Sequence, residues 1–137
     1  MSSSDFNFRF HPIGQGLYWT GVIDESIHLV YDCGSDNAEF LTREIASTSL
    51  GEINALTLSH FDRDHINGLD HLFRQNNVDI VFIPYLTPME RLLLAVKHSD
   101  ADPFYYRFLF DPVMYLLDKN PNKIVVVGRG DGKSINE

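Results

Sequence analysis

The chain has 137 residues, of which 44% are hydrophobic and 22% are charged, a balance typical of one globular domain. This composition argues against a fibrous or largely disordered chain. Eleven Lys and Arg against nineteen Asp and Glu give a net charge of −8, so the basic surface typical of nucleic-acid binders is absent. The single cysteine excludes an internal disulfide, and no apolar run reaches the roughly 20 residues of a membrane span. We therefore expect a cytoplasmic protein.

The first third of the chain has the alternating pattern of antiparallel strands. After a polar start, residues 1–5, that we expect to be disordered, three phenylalanines alternate with polar residues over 6–10. Aromatic and β-branched residues over 17–23 and 27–31 predict two further strands, separated by turn residues. Asp32 begins a short polar segment that should end the third strand. These patterns predict a three-stranded meander.

The remainder of the chain alternates helical and buried-strand patterns. Helical spacing of apolar residues and capping residues predict helices at 38–46, 66–75 and 87–98, and two short helices beginning at Asp102 and Asp111. Short apolar runs predict buried strands at 53–58, 78–83 and 124–127. We therefore predict an α/β layered sandwich with a mixed sheet. Helices would cover one face, and the meander would stack as a second sheet on the other.

The segment 59–65, with the sequence SHFDRDH, is the most informative for chemistry. It places two histidines and two aspartates directly after a buried strand and before a helix. A loop at a strand end can turn such side chains inward, and imidazole and carboxylate are ligands of divalent cations. A bound cation would lower the pKa of a water molecule and supply hydroxide near neutral pH. The alternative is a polar loop in which Asp62 or Asp64 caps the helix.

The hexad H-x-D-x-D-H resembles the H-x-H-x-D-H signature of the metallo-β-lactamase superfamily, with aspartate replacing the second histidine. Two further motifs, IGQG at 13–16 and LVYDCG at 29–34, resemble the ComEC-type hydrolase domain of DNA-uptake proteins, as does SHFDRDHINGL at 59–69. The three motifs follow the order of that branch and cover the first half of its domain. The resemblance implies a metallo-β-lactamase-like αββα sandwich, of which residues 1–137 would form the N-terminal part.

The resemblance also implies roles for individual residues. His60 and Asp62 would belong to a first metal site, and Asp64 and His65 to a second. Asp64 would in addition be the catalytic residue that orients the nucleophilic water. Asp32 would support the site from behind, as carboxylates that fix the tautomer of a ligand histidine do. Zinc is the expected metal, with manganese or magnesium as alternatives because the additional aspartate enriches the site in oxygen.

The later motifs of the superfamily are missing from the sequence. Its second half supplies a further histidine, a bridging aspartate and a last histidine, whereas the later histidines here are His71 and His98. Both fall in predicted helices, and we interpret both as plain helix residues. We expect either the first half of a longer protein, which the bare last strand favours, or a remnant without a complete site. The chain by itself would then have little or no activity, because the C-terminal ligands of the superfamily are absent.

Two functions therefore remain open. The first is a metal-dependent, nuclease-like hydrolase that cleaves a phosphodiester or other ester bond at one or two divalent ions. The alternative is a non-catalytic interaction module that keeps the fold without a complete metal centre. In both cases the apolar strands require a partner, either the missing C-terminal half or another chain, including a copy of itself. The negative charge does not support a nucleic-acid partner, and nothing indicates a membrane.

Overall fold

Within residues 5–129, which the computed structural model describes, the strands form one mixed sheet whose spatial order equals the sequence order. The strands are β1 (Phe6–Phe10), β2 (Gly16–Ile23), β3 (Ile27–Ser35), β4 (Glu52–Thr57), β5 (Asn77–Pro84) and β6 (Lys123–Val127). β1 to β3 are antiparallel, and β3 to β6 are parallel. The mixed α/β fold predicted from the sequence is confirmed.

Helices connect the parallel strands. They are α1 (Ala38–Ser47) between β3 and β4, α2 (Arg63–Ile66) and α3 (Leu69–Gln75) between β4 and β5, and α4 (Pro88–Lys97), α5 (Pro103–Phe110) and α6 (Pro112–Leu117) between β5 and β6. Since such crossovers are right-handed and the strands follow one another in one direction, all helices lie on the same face. In the described part of the chain, no helix has the length and apolar character needed to cross a membrane.

The two faces of the sheet differ in burial. One row of paired residues runs across β2 to β5 and is buried beneath the helices: Thr20, Val30, Leu56 and Val81. The next row lies on the opposite face and is exposed or half-buried: Phe10, Trp19, Tyr31, Thr57, Phe82 and Val125. The core of the domain therefore lies between the sheet and its single layer of helices.

The expectation that the meander stacks as a second sheet is wrong. β3 pairs with β4 in parallel, with Leu29 opposite Ala55 and Tyr31 opposite Thr57, so the meander extends the same sheet. An alternating pattern shows that a strand is half-buried, but it does not show which strand satisfies its edge hydrogen bonds. Here the backbone groups on that edge of β3 bond to β4, and the meander leaves the far face of the sheet uncovered.

Two local boundaries also differ from the sequence predictions. The helix predicted at 66–75 is broken, because Asn67 and Gly68 turn their polar groups to the end of β3. The Asn67 amide accepts from the Ser35 N–H at 2.9 Å and donates to the Ser35 carbonyl at 2.6 Å, and the Gly68 N–H donates to the Cys33 carbonyl at 2.8 Å. β3 also does not end at Asp32 but continues to Ser35, because its residues 33–35 pair with residues 16–18 of β2.

The ends of the chain fall largely outside the described residues. Of the five residues expected to be disordered, 1–5, the first four lie outside the described range. Asp5 exchanges two hydrogen bonds with Asp24, whose N–H donates to the Asp5 carbonyl at 2.8 Å.

Candidate metal centre

The loop between β4 and α2 carries half of the predicted ligands, and α2 carries the other half. His60 and Asp62 lie in the loop, and Asp64 and His65 lie in α2. Asp62 is the residue before the helix, but its side chain makes no capping hydrogen bond. Its carboxylate is therefore available to the pocket at the end of β4, contrary to the alternative in which it caps the helix.

That pocket has a volume of about 400 Å³ and collects all four of the residues predicted as ligands. The rings of His60 and His65 are in contact, tilted by 57° to each other with centroids 3.9 Å apart. The pocket is lined by Gln15, Asp36, His60, Asp62, Arg63, Asp64, His65, Lys97 and His98. The structure thus brings the hexad side chains to one cavity, while their assignment as ligands stays a prediction.

Asp32 is fully buried behind this pocket. It is the extra residue of a β-bulge opposite Tyr18 and Trp19, and its φ of 56° turns the side chain away from the strand pattern. Its carboxylate accepts hydrogen bonds from the N–H of Ser59 at 2.7 Å, from the Ser59 hydroxyl, and from Nδ1 of His65 at 2.9 Å. Because an ionised carboxylate can only accept, Nδ1 of His65 carries the proton and Nε2 is left as the acceptor.

Two glycines of the sequence motifs bring the meander against the backbone of α2. A Cβ atom at Gly34 would lie 2.5 Å from the carbonyl carbon of Asp64 and 2.5 Å from the nitrogen of His65. A Cβ at Gly16, whose φ is 139°, would lie 2.6 Å from the Asp64 carbonyl oxygen. These positions therefore need glycine. The absence of side chains there allows the backbone of Asp64 and His65 to lie directly against the sheet.

Asp62 is surrounded by nitrogen atoms. Its carboxylate oxygens lie 3.5 Å from Nδ1 of His60, 3.4 Å from Nζ of Lys97 and 3.6 Å from Nε2 of His98. Burial by itself would raise the pKa of the Asp62 carboxyl, but the charges of Lys97 and His60 lower it below its ordinary value. Asp62 is therefore an anion whose partners come from its own loop and from the end of α4.

His98, interpreted from the sequence as a plain helix residue, is the residue that follows α4, and it lines the pocket together with Lys97. No local signal in the sequence indicates this. The contact depends on how α4 and α5 pack beside the loop after β4, and that packing involves residues far apart in the chain. His71 lies in α3 and is not among the residues that line the pocket.

The donors suit a divalent ion chemically but are not assembled into a complete ligand set. Across residues 5–129, no three His, Cys, Asp or Glu side chains are arranged so that they could hold an ion as they stand. Instead they form pairs, such as Nε2 of His65 with the Asp64 carboxylate at 3.7 Å. However, Nε2 of His98 is buried without a hydrogen-bond partner among the described residues, as an unused ligand atom would be. The residues therefore fit an ion after side-chain rotation.

Comparison with known proteins agrees with the motifs and the fold. Residues 13–132 match the family model of the metallo-β-lactamase superfamily. Because this match covers most of the 137 residues, the chain belongs to that superfamily. No curated protein sequence matches the chain.

Proposed function

We propose that the chain is a divalent-metal-dependent hydrolase that cleaves phosphodiester or other ester bonds. The observation that supports this most is the pocket at the end of β4, where His60, Asp62, Asp64 and His65 lie together and the buried Asp32 orients His65. Zinc is the metal we favour, with manganese or magnesium as alternatives because carboxylates contribute half of the four donors. The resemblance of the motifs to the ComEC-type branch suggests the phosphodiester substrate.

The side chains of the pocket would divide the chemistry as follows. His60, Asp62, Asp64 and His65 would hold the metal, which when bound supplies a hydroxide at neutral pH. Asp64, whose side chain is about one quarter exposed, would orient the attacking water and accept its proton. Asp32 would keep the proton of His65 on Nδ1, so that Nε2 stays free to bind.

The charges around the pocket support a small anionic substrate. Arg63 and Lys97 line the cavity and can attract a phosphate group. The overall charge of −8 disfavours a long polyanion such as nucleic acid. We therefore propose a small phosphodiester rather than DNA or RNA as the substrate. A cytoplasmic location stays a prediction from the sequence.

The test is hydrolysis of bis(p-nitrophenyl) phosphate by the purified chain with added zinc, manganese or magnesium, and with EDTA. We expect slow hydrolysis that requires the metal, is abolished by EDTA and falls at least about 100-fold in His60→Ala and Asp64→Asn. His71→Ala, a histidine change outside the pocket, should retain full activity. A rate of hydrolysis that is unchanged by EDTA and by both pocket substitutions would refute the proposal.

A second candidate is the non-catalytic interaction module. It is favoured by the absence of a preformed group of three ligands in residues 5–129. It is also favoured by the uncovered apolar face of the sheet. The hydrolysis assay together with a metal-binding titration separates the two functions, because a chain that binds metal without turning over any ester, or binds none, would support the module over the enzyme.

A further inference from the structure

His98 is held at the end of α4 by two tyrosines of α5. Its backbone carbonyl accepts a hydrogen bond from the Tyr106 hydroxyl at 2.6 Å, and its ring meets the ring of Tyr105 edge-on, with centroids 5.5 Å apart. Tyr105 also donates its hydroxyl hydrogen to the Phe61 carbonyl at 2.8 Å, in the loop between β4 and α2. The same tyrosine therefore positions both His98 and the loop that carries the hexad.

Nε2 of His98 has no hydrogen-bond partner within the described part of the chain, although it is buried. An oxygen of Asp62 lies 3.6 Å from Nε2, beyond a good hydrogen bond. The other oxygen of Asp62 lies 3.5 Å from Nδ1 of His60. A buried polar nitrogen without a partner is unfavourable, so an imidazole in this position is expected to have a ligand.

We propose that His98 is a metal ligand that acts together with His60 and Asp62. This inference rests on the proposed function, in which the pocket holds a divalent ion. Ligand atoms about 2.0–2.1 Å from a tetrahedral zinc lie about 3.3–3.4 Å from one another. Nδ1 of His60 and Nε2 of His98 lie close to this separation from Asp62, at 3.5 Å from one carboxylate oxygen and 3.6 Å from the other. The third ligand would then come from the end of α4, whereas the sequence motifs provide only the ligands of the hexad.

Closing this site requires rotation of side chains that are partly exposed. The side chains of His60 and Asp62 are 46% and 32% exposed, so either can rotate toward His98. Lys97 must also release Asp62, and its side chain is 64% exposed and can swing into solvent. Lys97 therefore competes with the ion for the same carboxylate, and its removal should strengthen binding.

Titration of the full chain with Co²⁺, followed by visible ligand-field absorption, tests this inference without an activity assay. We expect His98→Ala to weaken Co²⁺ binding by about tenfold or more, since even supporting residues of metal sites cost 10- to 100-fold. Lys97→Ala should strengthen it, and His71→Ala should leave it unchanged. His98→Cys should restore binding and add a thiolate-to-cobalt charge-transfer band, which only a direct ligand can produce.

The outcomes distinguish this inference from the proposed function. If His60→Ala weakens binding but His98→Ala does not, His98 is not a ligand while the metal pocket stands. If the unaltered chain binds no Co²⁺, both proposals fail. A His98→Cys chain that binds Co²⁺ without the charge-transfer band would also overturn the role of His98, even if His98→Ala were poorly folded.

A second observation, independent of the metal pocket, concerns the uncovered face of the sheet. Beside the exposed row that contains Trp19 and Tyr31, a second row on the same face includes Phe8, Leu29 and Ile80. In these two rows the only charged residue is Lys123, which lies on the last strand. Contiguous apolar surface of this extent is rare on soluble monomers.

We infer that a second copy of this chain covers this face, sheet against sheet. The six strands lie about 4.8 Å apart, and each is about five residues long with a rise of about 3.3 Å per residue. One face of the sheet therefore has an area of roughly 500 Å², and two such faces would bury roughly 1,000 Å². This reaches the lower limit of about 1,000 Å² for a specific interface. An almost uncharged apolar face is complementary to itself, as a two-fold symmetric dimer requires, and needs no partner of opposite charge.

Sedimentation velocity of the full chain at several concentrations tests this second inference. We expect a dimer that dissociates on dilution and is lost in Tyr31→Lys, which places a charge in the middle of the face. Leu92→Lys, at an exposed apolar position of α4, should still dimerise. A monomer at all concentrations would assign the face to a different chain, and a dimer that survives Tyr31→Lys would assign the contact to another surface.

Discussion

Nδ1 of His65 lies 2.9 Å from the carboxylate of Asp32, although the two residues are 33 positions apart. The β-bulge at Asp32 and the close approach of Gly34 to α2 make this contact, so it links the meander to the hexad. Asp32 has no access to solvent, whereas 19% of the His65 side chain is exposed on the pocket side. The buried carboxylate of Asp32 therefore fixes the position and the tautomer of His65, which lines the pocket.

Asp32→Asn tests this link. The amide group would face hydrogen-bond donors, so His65 would change tautomer and lose its free Nε2, or the Ser59 bonds would weaken. We expect a loss of about 2–3 kcal/mol in the free energy of unfolding and a 10- to 100-fold loss of metal affinity, measured by urea denaturation and Co²⁺ titration. Asp79→Asn, where the carboxylate makes an exposed hydrogen bond with Asn122, should change neither quantity appreciably.

Gly34→Ala tests the close packing of the meander on α2. The new methyl group would lie 2.5 Å from backbone atoms of Asp64 and His65, which cannot move as a flexible side chain can. We expect the substitution to lower the free energy of unfolding by about 3 kcal/mol. The matched change Gly128→Ala, where a Cβ meets nothing within 4 Å, should be nearly neutral. Equal effects of the two substitutions would show that this packing does not set the height of α2.

The secondary structure could be predicted largely from local patterns. The helix expected at 87–98 is present as α4, with Thr87 and Glu90 forming the capping box that the residues indicated. Capping hydrogen bonds and apolar spacing are local features, so they indicate such a helix without reference to tertiary contacts. The break at Asn67 and Gly68 could not be predicted in the same way, because its cause is a set of hydrogen bonds to the distant end of β3.

The candidate site was predictable in part for the same reason. The hexad residues are neighbours in the sequence, so their meeting in one pocket required only the strand-then-helix order. Lys97 and His98, at the end of α4 and more than 30 residues later, reach the same pocket. Their position depends on the packing of α4 beside the loop, which the spacing of apolar residues in the sequence does not indicate. The sheet arrangement was missed on similar grounds, because burial patterns do not identify the partner of a strand edge.

A buried histidine in the meander predicts a pH dependence of stability. His11 lies 2.9 Å from Glu44 through Nδ1 and 2.8 Å from the Thr20 hydroxyl through Nε2. Burial lowers the pKa of His11 below its ordinary value of 6.5, an effect that the hydrogen bond to Glu44 opposes and the charge of Arg9 increases. The unfolded chain therefore binds a proton at a higher pH than the folded chain does.

The sign of this effect follows directly. The contribution of His11 to stability is complete above pH 6.5 and is lost as the pH falls below that value toward the folded-state pKa. We expect the free energy of unfolding to decrease between about pH 7.5 and about pH 5.5, and to decrease less in His11→Gln, as measured by urea denaturation. His28→Gln, at a histidine whose side chain bonds at an exposed site, is the matched control for the loss of a histidine. An identical slope in His11→Gln and the unaltered chain would contradict this account.

The last prediction concerns Tyr105, which connects α5 to the loop between β4 and α2. Its hydroxyl donates to the Phe61 carbonyl at 2.8 Å in a buried setting, and burial raises the pKa of this hydroxyl above its ordinary value, so it remains a donor at all physiological pH values. Tyr105→Phe leaves the ring against His98 but removes the donor, so the Phe61 carbonyl becomes unsatisfied. We expect a loss of about 1–3 kcal/mol in the free energy of unfolding, together with weaker Co²⁺ binding, because the loop that carries His60 is no longer held. Tyr85→Phe, at an exposed tyrosine, is the matched control and should alter neither measurement. Unchanged Co²⁺ affinity in a destabilised Tyr105→Phe chain would show that Tyr105 supports the fold without positioning the pocket.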